Sequence, residues 1–582
     1  MSDNSAETAE KHEQGPVRGV IQKLRGEWAV WQWVVLGVAL LVPWLFVAIT
    51  GQVWEDFLIT YRHSQNLIDG EGLLFNPGEK VHGFTSVINT LLPAFFGWIT
   101  GAENYVLPLW MYRVVSWAAL SGVILLAAGL IREGVETRWQ KSLLIVLPLL
   151  LVLEIKVTAF AMNGQEAGFM LLFLVPMLLL AYRGWPKRGV LLGAICLAGL
   201  MYVRPDGFVY GTAAFVGGWL FCEGSRKQFF RYFVWSGGIS LLIYLPWAVI
   251  ASSYYGTFVP HTVLAKQGTE SYVNLSFQFL GPLAAMLQIL PERIVGTLAA
   301  IYDFQNGGDG AWPGWLHDLA FMLMAAAALY WVVPVKDRLG RMTSLIAMLV
   351  LGYLSYASLI AYSTPWYYPP LAFLSLFTLL RMVVVLPGLL RARGEAIISV
   401  LGVAVLLGFT GYIFTHSLRG LKLKQEVIDD GVRRELGLWL NENVGPEEII
   451  YLEPLGYIGY YSDRRVHDWP GLVSPEVVAV RQEIGKIPGY PWGDYTWGLA
   501  AERYLPEWLV ARPVDQPIIE SSSLFARSNL NKPPRPKKLR GFLCIGVPFT
   551  SNKMVLGLVT RRQGTLITPM GLRRGFFARR RR

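Results

Sequence analysis

"VWEDFLITYRHSQNLIDGEGLLFNPGEKVHGFTS" runs from Val53 to Ser86, directly behind the first long apolar run of the chain, 31–50. Two adjacent carboxylates, Glu55 and Asp56, stand at the end of that run. A loop rich in Gly, Asn, His and Arg follows. If 31–50 crosses a bilayer, these charges sit at a membrane–water boundary. Such groups are costly near lipid and usually serve a function. Whether this stretch is a solvated loop or part of a site depends on what the rest of the chain places on the same side.

The 582 residues are 53% hydrophobic and only 16% charged. Soluble domains carry about 25% charged residues, so this balance indicates an integral membrane protein. Three cysteines give neither a disulfide framework nor a clustered metal site. Apolar runs fall near 31–50, 107–131, 142–160, 167–182, 189–203, 207–222, 235–251, 315–333, 343–361, 367–388 and 396–415. They predict about eleven spans, with 189–203 and 207–222 short enough to be broken or re-entrant. The first run, behind a polar segment, reads as a signal anchor.

The net charge of +11 is read as topological and not as a nucleic-acid footprint, because Lys and Arg collect on cytoplasmic loops. With the N-terminus inside, every even-numbered connection is short and basic. These connections hold Arg132, Arg138 and Lys141; Arg183, Lys187 and Arg188; Arg226, Lys227 and Arg231; Lys336, Arg338 and Arg341; Arg391 and Arg393. The organisation expected is a cytoplasmic tail at 1–30, a membrane region at 31–415 and an extracytoplasmic domain at 416–582. That domain has an amphipathic helix around Leu436, Trp439 and Leu440, then a strand-like "EIIYLE", which reads as α/β. Its Arg-rich end, Arg573, Arg574 and Arg579 to Arg582, suits either solvent or an anionic lipid surface.

On that topology five connections bring polar residues to the outer face. The first carries Glu55, Asp56, Arg62, His63 and Lys80. The second carries Glu166 in "AMNGQEAGFM", and the third Arg204 and Asp206 in "VRPDG". The fourth carries Tyr255, His261 and Lys266 in "SSYYGTFVPHTVLAKQG". The fifth carries Trp366, Tyr367 and Tyr368 in "STPWYYPP". Each has a plainer alternative: a span-ending charge for Glu55 and Asp56, a helix cap for Glu166, a structural pair for Arg204 and Asp206, a packed imidazole for His261, an aromatic belt for the Trp-Tyr-Tyr run. Their shared side points to a cavity at the membrane surface. A helix over 55–67 would put Asp56, Thr60 and His63 on one face.

The ordered set "EDFLITYRHSQNLIDGEGLLFNPGEKVHGFTS", "NGQEAGF", "RPDG", "YYGTFVPHTVLAK", "PWYYPP" and "GYIGYYSDRRVHDWPGLVSP" resembles the GT-C superfamily of polytopic membrane glycosyltransferases. It is most similar to the arabinofuranosyltransferase B group of mycobacteria and its bacterial relatives, over about 50–475. Three places depart from that pattern: Gly83-Phe84-Thr85-Ser86 stands where the group often has Gly-Tyr-Thr-Asn, Pro260-His261-Thr262 where it has Pro-Asn-Thr, and Gly164-Gln165-Glu166 where it has Gly-Leu-Glu. The resemblance implies a mainly α GT-C fold with juxtamembrane helices in the first outer loop and a soluble C-terminal α/β domain.

It also implies a polyprenyl-phosphate-linked sugar, arabinofuranose among the candidates, as donor, and a glycan or glycolipid in cell-envelope assembly as acceptor. The setting would be a bacterial plasma membrane. Asp56 matches the expected general base, with Glu55 beside it. Arg62, Arg204, Lys266 and His261 would meet the donor phosphate. His63, Glu166, Asp206, Tyr255, Trp366, Tyr367 and Tyr368 would meet sugar or acceptor. No metal-ligand spacing is present, so no cofactor is assigned, although the carboxylates are compatible with a divalent ion. A transporter or flippase and a non-catalytic glycan-binding membrane protein are the rival classes. The sequence is silent on the acceptor, the linkage and the oligomeric state.

Overall fold

Twenty-one residues, Val30–Thr50, form the first helix, α1. At 1.5 Å rise per residue it is roughly 30 Å long, the thickness of a bilayer's hydrocarbon core. The computed structural model describes residues 30–133, 143, 145–267, 272–301, 314–333, 337–359, 364–389, 393–484, 506–511 and 543–546. The N-terminal tail, the Pro-rich "NLNKPPRPKKLRG" and the Arg-rich end lie outside these residues.

The first outer loop carries two helices, α2 (Glu55–Ile68) and α3 (Val87–Thr100), as expected of juxtamembrane elements. Ser86 caps α3 by accepting the Asn89 N–H at 3.2 Å. The bundle follows with α4 (Val106–Glu133), α5 (Leu147–Leu153), α6 (Ile155–Met162), α7 (Ala167–Tyr182), α8 (Val190–Val203), α9 (Gly207–Phe221), α10 (Arg226–Tyr255) and α11 (His261–Gln267). It continues with α12 (Tyr272–Leu298), α13 (Gly314–Leu329), α14 (Arg338–Leu359), α15 (Pro369–Leu389) and α16 (Glu395–Leu423).

Among the described residues, six helices are long and apolar enough to cross a membrane, which makes this a multi-pass membrane protein. A seventh span arises if α6 and α7, bent by 117° at Asn163–Glu166, are counted together. The run 142–160 is not one helix. Glu154 interrupts it and caps α6, its carboxylate accepting the Val157 N–H at 2.8 Å. The shorter apolar helices Gly207–Phe221 and Pro369–Val385 correspond to two of the eleven runs read from sequence.

Beyond α16 the chain keeps winding. A π-helical stretch, Lys424–Arg433, joins α16 to α17 (Arg434–Asn443), so the expected boundary at 416 falls inside one continuous helix, Glu395–Asn443. Then come β1 (Ile449–Leu452), α18 (Gly456–Ser462), β2 (Arg465–Asp468), α19 (Pro475–Ile484), β3 (Trp508–Ala511) and β4 (Leu543–Gly546). The sheet order is β2-β1-β3-β4, parallel between β2, β1 and β3 and antiparallel between β3 and β4. The α/β expectation for this region holds.

Two cores meet at α2. The bundle core is Leu-, Val- and Phe-rich and runs through α1, α3–α10 and α12–α16. The C-terminal core contains Leu436, Leu440, Ile450, Leu452, Ile458 and Val466, and it also takes in Ile59 and Phe75 from the first outer loop. On the other flank of α2, Phe57, Leu58 and Tyr61 pack with Leu109 of α4 and Tyr457 of α18. The first loop is therefore a layer between membrane helices and sheet. Phe75→Ala should lower stability by about 3–5 kcal/mol, the usual cost of deleting a buried phenyl ring. Thermal unfolding in detergent measures the loss, and limited proteolysis should cut first in the C-terminal unit.

Candidate active site

The backbone at the mouth of α1 is fixed before any site side chain is considered. Arg113 of α4, buried, donates from Nε to the Met162 carbonyl and from Nη2 to the Gln52 carbonyl, each at 2.7 Å. The Trp54 N–H donates to the Asn163 carbonyl at 2.9 Å. These bonds tie the end of α1 to the bend between α6 and α7, so the first turn of α2 stands over that bend. Glu55 and Asp56 occupy that turn, where the helix dipole favours negative charge.

Asp56 is partly exposed, and burial pushes its carboxyl up to about 7. Lys266 of α11 and Lys424 of the π-helical stretch pull it back; Glu55 and Glu166 push it higher. Its companions form one buried network. Arg204 donates from Nη1 to Glu166 at 2.8 Å and from Nε to Asp206 at 2.9 Å. Glu166 accepts Asn89 Nδ2 at 2.9 Å, and Asp206 accepts the Tyr353 hydroxyl at 2.8 Å. The guanidinium lies 3.8 Å from the Tyr367 ring centroid, and the Lys266 ammonium 5.8 Å from the same ring. A small cavity opens here, lined by Glu166, Met170, Arg204, Tyr210, Trp366 and Tyr367. Trp366 packs edge-on against Trp54, with centroids 5.5 Å apart.

The structure brings together Asp56, Glu166, Arg204, Asp206, Lys266, Trp366 and Tyr367. Glu166 makes no capping bond to α7; its carboxylate serves the network. Glu55 turns to the C-terminal unit, accepting from Arg433 Nη1 at 2.5 Å and from the Gly456 N–H at 3.2 Å. Gly456 is needed there, since a Cβ would stand 2.3 Å from the Glu55 carbonyl oxygen.

Five expected residues sit elsewhere. Arg62 is buried and spends its guanidinium on the carbonyls of Phe75 (3.0 Å), Gly459 (3.1 Å) and Tyr460 (3.4 Å) and on Asp463 (3.2 Å). Nothing is left to meet a phosphate. His63 is fully buried, bonded to the Ile59 carbonyl at 2.9 Å and packed edge-on against Phe75 and Phe84. Burial pushes its pKa down to about 4, so it is a neutral packed ring and not a sugar contact. Tyr255 stacks on His82 and donates to the Leu73 carbonyl at 2.7 Å, bracing the first loop. Tyr368 is buried in the bundle core. His261 donates its backbone N–H to the His82 carbonyl at 2.9 Å. Its ring lies beside Asp468 and the Gly471 backbone of the C-terminal unit, where burial pushes its pKa down.

The residues that join the candidate site and were missed in the sequence are Lys424, Asn89 and Tyr353. Asn89 and Tyr353 are polar groups inside apolar runs, a signal that was available. Lys424 lies more than 350 residues from Asp56 by sequence number, and nothing local marks it. Among the described residues no group of three His, Cys, Asp or Glu side chains gathers as a metal site.

A family model described as a domain of unknown function (DUF8728) matches residues 424–544. The chain is similar to curated arabinofuranosyltransferases. It is 30% identical over 224 residues to the "Terminal beta-(1->2)-arabinofuranosyltransferase" of Mycobacterium tuberculosis, covering 36% of this chain and 34% of that one. It is 25% identical over 415 residues to the Corynebacterium glutamicum protein of the same name, covering 65% of this chain and 54% of that one. The matches thus span between a third and about half of those relatives' length. Among solved structures, the Archaeoglobus fulgidus oligosaccharyltransferase aligns at TM-score 0.49 and 15% identity, over 83% of this chain and 69% of that one. ArnT from Cupriavidus metallidurans, bound to undecaprenyl phosphate, aligns at TM-score 0.43 and 12% identity, over 85% and 96%.

Arg62→Met should cost folded protein, because it leaves two or three buried carbonyls without donors at about 1–3 kcal/mol each. The melting temperature in detergent should fall. Turnover per folded molecule should keep its dependence on donor concentration, and a selective rise in KM for donor would return Arg62 to the site.

Proposed function

We propose that the chain is an inverting membrane glycosyltransferase, carrying a sugar from a polyprenyl-phosphate donor to a glycan or glycolipid acceptor outside the bilayer, with Asp56 as general base. The observation that carries this reading is the aromatic-walled cavity lined by Glu166, Arg204, Trp366 and Tyr367, whose Trp366 packs on Trp54, two residues before Asp56. Burial raises the Asp56 carboxyl to about 7. A base works best when its pKa lies near the working pH. The similarity to enzymes named terminal arabinofuranosyltransferases supports the class and makes arabinofuranose the first sugar to try.

In the proposed reaction the acceptor oxygen attacks the anomeric carbon as Asp56 takes the hydroxyl proton. The C–O bond to the phosphate breaks, and polyprenyl phosphate leaves with the bonding electrons. The developing positive charge on the sugar ring faces Asp56 and Glu166. Negative charge grows on the leaving phosphate, where Lys266 and Arg204 supply the compensation. Trp366 and Tyr367 offer faces for the sugar, and Asp206 holds Arg204 in place. Glu55 anchors the turn that carries Asp56. In this reading the basic loops face the cytoplasm, the bundle of 31–415 is catalytic and the C-terminal unit is extracytoplasmic.

The test is transfer from a radiolabelled polyprenyl-phosphate sugar. Asp56→Asn should lose about 10²–10⁴-fold in turnover with an unchanged melting temperature; retained turnover removes Asp56 from the role. The pH profile gives a second check. A base is active when deprotonated, so kcat/KM should climb through pH 7 and level off above about 8. Below 6 it should fall about tenfold per unit. A rate that is flat from 5 to 8 would contradict the assignment.

A further inference from the structure

The stretch Lys424–Arg433 winds as a π-helix, whose hydrogen bonds run from i to i+5. That winding aligns side chains five apart, which an α-helix would set roughly 140° from one another. Lys424 bonds Asp429 at 2.5 Å, and Gln425 bonds Asp430 at 3.0 Å, both at this spacing. Gly431 permits it: a Cβ there would stand 2.9 Å from the carbonyl oxygen of Glu426, five residues earlier. π-Turns are rare and cluster at functional sites.

What the stretch holds is the entry to α2, one residue after another. The Val53 N–H donates to Gln425 Oε1 at 3.0 Å. The Lys424 ammonium stands 5.5 Å from the Trp54 ring centroid. Arg433 bonds Glu55 and, at 3.0 Å, Asp429. The next residue is Asp56. Asp429 is fully buried and joins the two cations, so Lys424, Asp429, Arg433 and Glu55 form one closed charge chain. Glu55 passes the contact on to the Gly456 N–H at the start of α18.

We propose that this π-helical stretch is a positioning device that sets Lys424 against the mouth of α2 to keep the Asp56 carboxylate ionised, so that the C-terminal unit completes the active site. The proposal rests on Asp56 being the base. The charged groups acting on Asp56 are Lys266 from α11, Glu55 from its own turn, Glu166 from the bend before α7, and Lys424. Lys424 acts on Asp56, not on substrate. Asp429 limits that action by sharing the charge.

The two variants therefore have opposite signs. In full-length protein reconstituted with the radiolabelled polyprenyl-phosphate sugar, Lys424→Gln should move the half-activity pH of kcat/KM up, by less than loss of Lys266 does, and recover wild-type rate at high pH. Asp429→Asn should move it down, and Lys424→Arg should restore the wild-type profile. Gly431→Ala, which strains the π-winding, should shift it upward like Lys424→Gln and supplies a second handle if that variant does not accumulate. Shifts in one common direction, or a uniform loss of rate at every pH in folded variants, would overturn the proposal. Retained turnover in Asp56→Asn would instead overturn the general-base reading, so the two failures are distinguishable.

Discussion

The guanidinium of Arg62, sealed from solvent, donates to three carbonyls and faces Asp463, all but one of these partners belonging to the C-terminal unit. Charged groups are this deeply buried only where every donor is satisfied. Meeting that demand requires α18 to lie along α2, and α2 in turn to lie along the membrane bundle. The apolar contacts follow from it: Ile59 and Phe75 enter the C-terminal core, while Phe57 and Tyr61 pack toward α4. Without that anchor the first loop would be the solvated segment that its composition suggests.

Once α2 is fixed, opposing influences meet at its first turn. Burial, the largest of them, and two neighbouring carboxylates favour the neutral form of Asp56; two ammonium groups from distant parts of the chain favour the charged one. Burial dominates, and the carboxyl rises to about 7. The Glu166–Arg204–Asp206 network behaves differently. There each charge has a partner within 3 Å, which holds the three side chains in one arrangement. In the proposed reaction, Asp56 would move the proton and this network would stabilise charge.

Much of this was legible in the sequence because the signals were local. The apolar runs and the basic loops gave the membrane class, and the Glu55–Ile68 helix follows from its acidic start and pattern. Asp56, Glu166, Arg204, Lys266 and the Trp366-Tyr367 pair were read as polar groups from separate connections, and the fold brings those connections together. Arg62 and His63 were misread for a physical reason. An arginine suited to phosphate is equally suited to backbone carbonyls, and a histidine on a polar helix gives no sign of which face is packed. Only tertiary contact decides, and it came from residues 459–463. Lys424 was invisible for the same reason. It sits just past an ordinary span end, and the role proposed for it depends on a π-turn that has no sequence signature beyond Gly431. The run 142–160 misled because hydropathy averages over Glu154, whose charge is absorbed by capping the following helix and by the buried Lys156.

The last helix carries a mechanical consequence. Residues Glu395–Asn443 wind without a break from the membrane bundle into the C-terminal unit, a rod of roughly 70 Å at helical rise. On this side the helix itself joins the bundle to the C-terminal unit, and on the way it holds the turn of α2 through Gln425 and Arg433. A change in the winding of Lys424–Arg433 would therefore be felt at that turn and at the sheet together.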